Sequence, residues 1–458
     1  MRLWDKGLLP ALLLLISACG LHLPAPDGPI VIGPLDQLVQ VQGPGGAIQA
    51  SGDLREWLGR DPLNGGRLQD WMRIDQTIAR RPLYVGNRAE LLIDGPEAYG
   101  AMFEAMRQAR HHIHLETFIL EHEEIGAQLA DLLIARRQEK VEVRVIYDAF
   151  GVLKTEEAYF ERLRGHGVRL HKFNPINPLE DARIWRINKR HHRKILIVDG
   201  RVAFTGGMNI SNVYSRSSFV SSRQTDLHRR WRDTQIRLEG PVVSEFQRAF
   251  VEMWGEVKDE PPLEGQDYFP HLDARGDQPV RLMITGAADR DYDIYRAYLA
   301  AFSRARHRIW LTQGYFAPDG RFNRALKDAA RRGVDVRLLL PGATDSWITI
   351  NSSRARYANL LAAGVRIFER RDALQHAKTA VVDGIWSTVG STNLDYRSFF
   401  HSNEANAVIY GAEFGQDMEA LFLLDQNQNQ EIRLSSWMER PILQRLKEIL
   451  GRIFDYWL

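Results

Sequence analysis

Apolar and polar positions divide the chain into stretches of different period. A short charged start (Arg2, Asp5, Lys6) leads into an apolar run from Leu8 to Ile16, closed by the small residues Ser17 and Ala18. That order is an export-signal pattern over residues 1–18, and the run falls short of the ~20 apolar residues a spanning helix needs. Between Gly20 and Asp53 the chain carries 12 Gly and Pro, which predicts a flexible tether over 19–53. Helical spacing follows in 54–82 (Leu54, Trp57, Leu58; Leu68, Trp71, Met72, Ile74), with no role evident from the pattern. From residue 83 onward, β-rich apolar runs such as Ile195 to Val198 alternate with helical stretches such as Ala127 to Arg137 and Phe322 to Arg332. This alternation is the signature of layered α/β units. At the end, Pro441 precedes Ile442, Leu446, Ile449, Leu450, Ile453, Phe454 and Trp457, which share one face of a helix over 431–458. That face suits either a membrane interface or packing on the body.

Composition narrows the classes. A chain of 458 residues with 44% hydrophobic and 26% charged residues is globular and large enough for several packing units. Its 60 basic and 58 acidic residues nearly cancel, so any anion-binding surface is local. A single cysteine excludes a disulfide framework and a cysteine-based zinc cage. The segment Ile16-Ser17-Ala18-Cys19 resembles the bacterial lipoprotein processing box, in which Cys19 carries the lipid. The implied location is the periplasmic side of the inner or outer membrane, with an uncleaved anchor helix and a plain secretory signal as the alternatives.

The strongest organisational signal is an internal duplication. His192, Lys194, Asp199, Gly206 and Asn209 recur as His376, Lys378, Asp383, Gly390 and Asn393, every pair offset by 184. Upstream, Ala109 to Ile113 echoes Ala305 to Ile309, and Gly167-Val168-Arg169 echoes Gly364-Val365-Arg366. Two units of similar plan follow, over 83–260 and 278–430. Within each motif the His and Lys are two apart, so on an extended strand they project from one face. A histidine beside a lysine and an asparagine, near glycines that admit close backbone approach, makes an anion pocket suited to phosphate. One such motif is a weak signal, and two with equal spacing are specific.

The pair resembles the HxKxxxxD motifs of the phospholipase D superfamily. Glu116-Thr117-Phe118, Trp231-Arg232-Asp233-Thr234, Tyr315-Phe316-Ala317-Pro318 and Gly390 to Asp395 with Arg397-Ser398 look like its cardiolipin synthase branch. The resemblance spans about residues 83–445. It implies two pseudo-symmetric α/β units, each a mixed sheet flanked by helices, with the active site at their interface. It also implies transfer of a phosphatidyl group between phospholipids through a phosphohistidine, without metal or other cofactor. The catalytic set is then His192, Lys194, Asp199, His376, Lys378 and Asp383. His192 is the nucleophile, His376 the general acid and then base, and the two aspartates are structural supports. Lys194, Lys378, Asn209 and Asn393 hold phosphoryl oxygens, and an acid a short way downstream of each motif, at Asp233 and Glu404, orients the histidine. The chemistry is coherent: phosphodiester exchange needs a nucleophile and an acid on opposite sides of phosphorus, and imidazole serves both near neutral pH.

The expected partners are phospholipids, phosphatidylglycerol first, and a membrane surface. No nucleic acid and no obligate protein partner are expected, although a hydrolytic phospholipase D and a secreted nuclease remain alternatives. Gln375 departs from the leucine expected before the second histidine. His112, His114 and Glu116 alternate at metal-ligand spacing, but their duplicates Arg308, Trp310 and Thr312 do not, which favours packing. From Arg183 to Lys194 six Lys/Arg occur without an acid, either a basic lip for anionic headgroups or a solvated loop.

Overall fold

The computed structural model describes residues 41–48, 65–176, 188–219, 230–258, 267–286, 291–344 and 346–455. Helix α1 (Gly65–Ile78) precedes two successive sets of seven strands. The first set is β1 (Leu83–Ile93), β2 (His112–Thr117), β3 (Glu142–Asp148), β4 (Arg169–Phe173), β5 (Ile195–Val198), β6 (Val202–Gly206) and β7 (Thr234–Glu239). Helices α2 (Asp94–Arg107), α3 (Glu124–Gln138), α4 (Glu157–Gly165) and α5 (Val243–Lys258) connect and follow them. The second set is β8 (Gln278–Gly286), β9 (Arg308–Gln313), β10 (Asp335–Pro341), β11 (Arg366–Arg370), β12 (Lys378–Val382), β13 (Trp386–Gly390) and β14 (Ser402–Tyr410). Its longer helices are α6 (Asp293–Arg304), α7 (Gly320–Arg331), α8 (Trp347–Arg354) and α9 (Ala412–Gln426), and α10 (Ile442–Ile453) is the last of the described helices.

Both sets take the same order. The first runs β4-β3-β2-β5-β6-β7-β1, the second β11-β10-β9-β12-β13-β14-β8. In each, the first three strands are parallel and the rest antiparallel, which is the mixed α/β plan expected from the repeats. The halves join edge to edge where β1 pairs antiparallel with β8. Strands β5 and β12 are buried along their whole length, so their apolar runs lack the alternation of a half-exposed strand. One core lies in each half, and a third gathers Ile197, Ile236 and Phe250 from the first with Val381, Val389 and Phe414 from the second. That shared core fixes the halves relative to each other.

One expectation changes, and a segment without an evident role acquires one. The segment expected as a tether over 19–53 contains a hairpin, Val41–Gly43 with Gly46–Ile48, whose first strand runs parallel to β1 at Val41 and Leu83. The Pro44-Gly45 of that stretch belongs to a tight turn between short strands, and Val41 is buried. Within 54–82, α1 places Leu68, Trp71 and Met72 in the core of the second half. Its Asp75 accepts from the Trp386 indole N–H (2.9 Å) and the Tyr410 hydroxyl (2.5 Å), so this extension ties the start of the body to β13 and β14. Residues 1–18 and Cys19 lie outside the described residues. Among the described residues no helix is long and apolar enough to cross a membrane.

Candidate active site

Each motif histidine is carried by one half and clipped to the other. Arg190–His191 pairs parallel with the start of β14, and the His192 N–H donates to the Asn403 carbonyl (2.9 Å). Leu374–Gln375 pairs parallel with Trp231–Arg232, and the His376 N–H donates to the Arg232 carbonyl (2.8 Å). In both places the next residue on the clipping strand is a carboxylate. Glu404 therefore meets Nδ1 of His192 at 2.9 Å through Oε2, and Asp233 meets Nδ1 of His376 at 2.7 Å. The pairing is crossed, each acid serving the histidine of the opposite half.

Around this pair the site is closed in. Lys194 and Lys378 each donate to the carbonyl of their own motif histidine, Lys194 at 2.6 Å. Phe118 packs edge-on to His192 and lies under the Lys194 ammonium. Trp231, Tyr214 and Tyr315 surround His376. Asn209 and Asn393 are both buried, in the corresponding places after β6 and β13. The Asn209 side-chain oxygen accepts from the Ile119 N–H (3.0 Å), while Asn393 Oδ1 has no partner among the described residues. Ser391 donates to Glu404 (2.5 Å), steadying that carboxylate.

Burial sets the protonation states. It pushes His192 down to about 4, with Glu404 pulling the other way. Burial and then the Lys378 charge bring His376 to about 4, against Asp233. Burial raises Glu404 and Asp233 in turn, but the facing imidazoles and lysines hold both below the usual carboxylate range. Each pair is therefore a neutral imidazole donating Nδ1–H to an anion, with Nε2 left as the lone-pair nitrogen. Burial also lowers Lys194 well below the usual lysine range, and an anion between the two lysines would reverse that. Because both folded values lie below the ordinary 6.5, the unfolded chain takes up these protons first. These two groups accordingly withdraw stability as pH falls from 6.5 towards 4. Nitrogen-15 NMR of the ligand-free protein should show both rings neutral and Nδ1-protonated at pH 6. Imidazolium signals from either ring at that pH would contradict the assignment.

A family model described as cardiolipin synthase, PLD-like domain, matches residues 102–254 and 298–425, covering both motifs and both acids. The chain belongs to this family. It is 32% identical over 394 residues to the cardiolipin synthase of Alkalihalophilus pseudofirmus, covering 85% of this chain and 76% of that protein. It is 34% identical over 387 residues to the cardiolipin synthase of Geobacillus kaustophilus, covering 84% and 75%. Among solved structures, the phosphatidylserine synthase of Haemophilus influenzae shares the fold at a TM-score of 0.59 and 15% identity, covering 85% of this chain and all of that one.

Not every residue of the family motif reaches the site. Asp199 and Asp383 sit at the far ends of β5 and β12, in left-handed turns (φ 53° in both) followed by Gly200 and Gly384. The Asp199 carboxylate accepts from the N–H groups of Arg110, His111 and His112 at 2.8–2.9 Å. Asp383 does the same for Arg306, His307 and Arg308. They fasten the starts of β2 and β9 and take no part in the constellation of His192 and His376.

Other residues do reach it unannounced. Asp148, at the end of β3, accepts from the His191 N–H (2.7 Å) and pairs with Arg190 (3.1 Å), setting the strand that presents His192. The Tyr214 hydroxyl lies 3.1 Å from Nδ1 of His376, a contact with no counterpart at His192 among the described residues, where Ser398 occupies the duplicate position. Gln375 is fully buried, and its amide has no partner among the described residues. His112 and His114 are both engaged by the Gln247 amide (3.0 and 2.9 Å), and Glu116 faces His191 at 3.1 Å, so the alternating set is packing around β2. The basic stretch from Arg183 is not an open lip over its second half. Arg190, Arg193 and Lys194 are buried, and residues 183–187 lie outside the described residues.

Proposed function

We infer that this chain is a cardiolipin synthase-type phosphatidyltransferase acting on phosphatidylglycerol. The observation that carries the reading is the crossed arrangement of His192 with Glu404 and His376 with Asp233, beside Lys194 and Lys378. Nε2 of His192 attacks phosphorus, and the bond from phosphorus to the headgroup glycerol oxygen breaks. His376 delivers its Nε2 proton to that oxygen, and glycerol leaves. The hydroxyl of a second phosphatidylglycerol then gives its proton back to His376 and displaces His192, yielding cardiolipin. A proton on His376 demands a higher affinity than the empty site has, and an anionic phosphodiester held by the lysines supplies it by adding negative charge beside the ring. Asn393, buried just after β13, would donate its amide N–H to a phosphoryl oxygen.

Cys19 would anchor the exported protein as a lipoprotein on the periplasmic side of a membrane, which places the enzyme beside its substrate. The test is lipid extraction from a cardiolipin-deficient bacterium expressing the chain. Restored cardiolipin is the expected result. Phosphatidic acid alone would make the protein a hydrolase, and neither product with plasmid cleavage in vitro would make it a nuclease.

A further inference from the structure

Helix α10 is mounted the opposite way round from an ordinary surface helix. Ile442, Leu443, Leu446, Ile449, Leu450 and Ile453 are 50–75% exposed, while the inward positions are Gln444, Glu448, Gly451 and Asp455. The polar side makes specific attachments. Glu448 is buried against Arg440 (2.5 and 2.9 Å), the Gln444 amide donates to Asn351 (3.2 Å), and Asp455 pairs with Arg356 (2.6 Å). A Cβ at Gly451 would meet the Ser352 backbone nitrogen at 2.6 Å, so glycine is what lets the helix lie against α8. An amphipathic helix normally buries its apolar stripe, and single exposed apolar residues need no explanation, but a six-residue ridge does.

Its charge and position point to one occupant. The two acids Glu448 and Asp455 turn inward to arginines, whereas Arg445, Lys447 and Arg452 flank the ridge at the surface. A leucine and isoleucine ridge with a basic margin is the composition of a helix lying in an anionic bilayer interface. The ridge is also fastened to the active-site wall. Arg356 holds both Asp455 and the Pro318 carbonyl (3.1 Å), and Pro318 follows Phe316–Ala317 and Tyr315, whose ring stands beside His376. Helix α8 opens with the half-exposed Trp347 just beyond the carboxyl end of β10. Phe150 and Leu153 are exposed at the matching place beyond β3. Both loops lie at the strand ends from which His192 and His376 are presented, since β5 and β12 run antiparallel to β2 and β9.

We propose that α10, with Trp347, Phe150 and Leu153 beside it, is the membrane-docking surface that seats the active site on an anionic phospholipid bilayer. The proposal rests on the phosphatidyltransferase reading, and its test separates the two. Full-length protein carrying Leu446→Gln, Ile449→Gln and Ile453→Gln is compared with the parent, both also bearing Cys19→Ala so that a lipid anchor does not mask the result. Flotation with vesicles of phosphatidylglycerol and phosphatidylethanolamine should fall roughly tenfold or more, since three apolar side chains leave the interface. Turnover of vesicle phosphatidylglycerol should fall with it, and turnover of monomeric short-chain phosphatidylglycerol should stay unchanged. Undiminished flotation overturns the proposal, as does an equal loss on both substrates, which would make the helix a support for the site. A shift from dimer to monomer in light scattering with flotation retained would assign the ridge to a second copy of the chain and overturn it too. If the parent transfers no phosphatidyl group to either substrate, the functional reading fails while flotation still decides the docking.

Discussion

His192→Ala is expected to abolish the covalent phosphatidyl-enzyme and to lower phosphatidyl transfer by roughly 10⁴-fold or more, because nothing else in the site replaces the attacking imidazole. His376→Ala is expected to lose turnover on phosphatidylglycerol to a similar degree but to keep forming the adduct slowly with a lipid analogue whose leaving group needs no protonation. The duplicated motif alone leaves these roles symmetric, and the surroundings do not. His376 shares its Nδ1 between Asp233 and the Tyr214 hydroxyl and is the more deeply buried ring, with 5% of its side chain exposed against 13% for His192. A ring held by two partners is suited to passing a proton without moving, and the more open ring to meeting phosphorus. Acid quench followed by mass spectrometry locates the adduct. Phosphatidyl on His376 in the native enzyme would reverse the roles, and activity without an adduct on either histidine would rule out covalent catalysis.

The crossed carboxylates sharpen the same experiment. Glu404→Gln removes the anion facing His192 but keeps an acceptor of the same shape, so the loss should appear in the nucleophilic step and leave Asp233 and His376 undisturbed. The pairing was not legible in the sequence. Both acids are visible downstream of the motifs, but which histidine each serves depends on two-residue strand clips between segments 143 and 212 residues apart. Local pattern carries no information about such pairings. The motif histidines, lysines and asparagines were legible because duplication doubled their signal. Tyr214 and Asp148 were not, since their duplicates are Ser398 and Pro341 and the repeat offers no second copy to compare. The C-terminal helix shows the limit differently: periodicity fixed which residues share a face, and only Gly451 and the buried Glu448 reveal that the other face turns inward. Likewise Gly and Pro between residues 41 and 48 signal a turn as readily as a tether, and it is the burial of Val41 against β1 that decides.

Asp425→Ala is expected to destabilise the protein by about 3–5 kcal/mol, a large share of the roughly 5–15 kcal/mol typical of native proteins. Asp425 lies near the end of α9 in the second half and accepts from Arg232 of the first half through both oxygens at 2.9 Å. It also accepts from Arg370 at 3.3 Å. All three side chains are almost wholly buried, so truncation takes from two guanidinium groups in a low-dielectric interior the buried carboxylate they share. Arg232 retains Thr234 (3.1 Å), the Asp233 carbonyl and a longer ion pair with Asp94 (3.8 Å), and Arg370 retains the Ser218 carbonyl (2.9 Å) and the half-exposed Asp372 (3.0 Å), so each keeps only a more distant or more solvated countercharge. The damage should reach the chemistry, because the Arg232 carbonyl clips His376 and the next residue is its carboxylate partner Asp233. Turnover per folded molecule should therefore fall alongside the denaturation midpoint. Asp425→Asn, which preserves shape and one acceptor, should lose less of both, and a midpoint for Asp425→Ala within 1 kcal/mol of the parent would show that the two halves are held by their shared apolar core rather than by this buried triad.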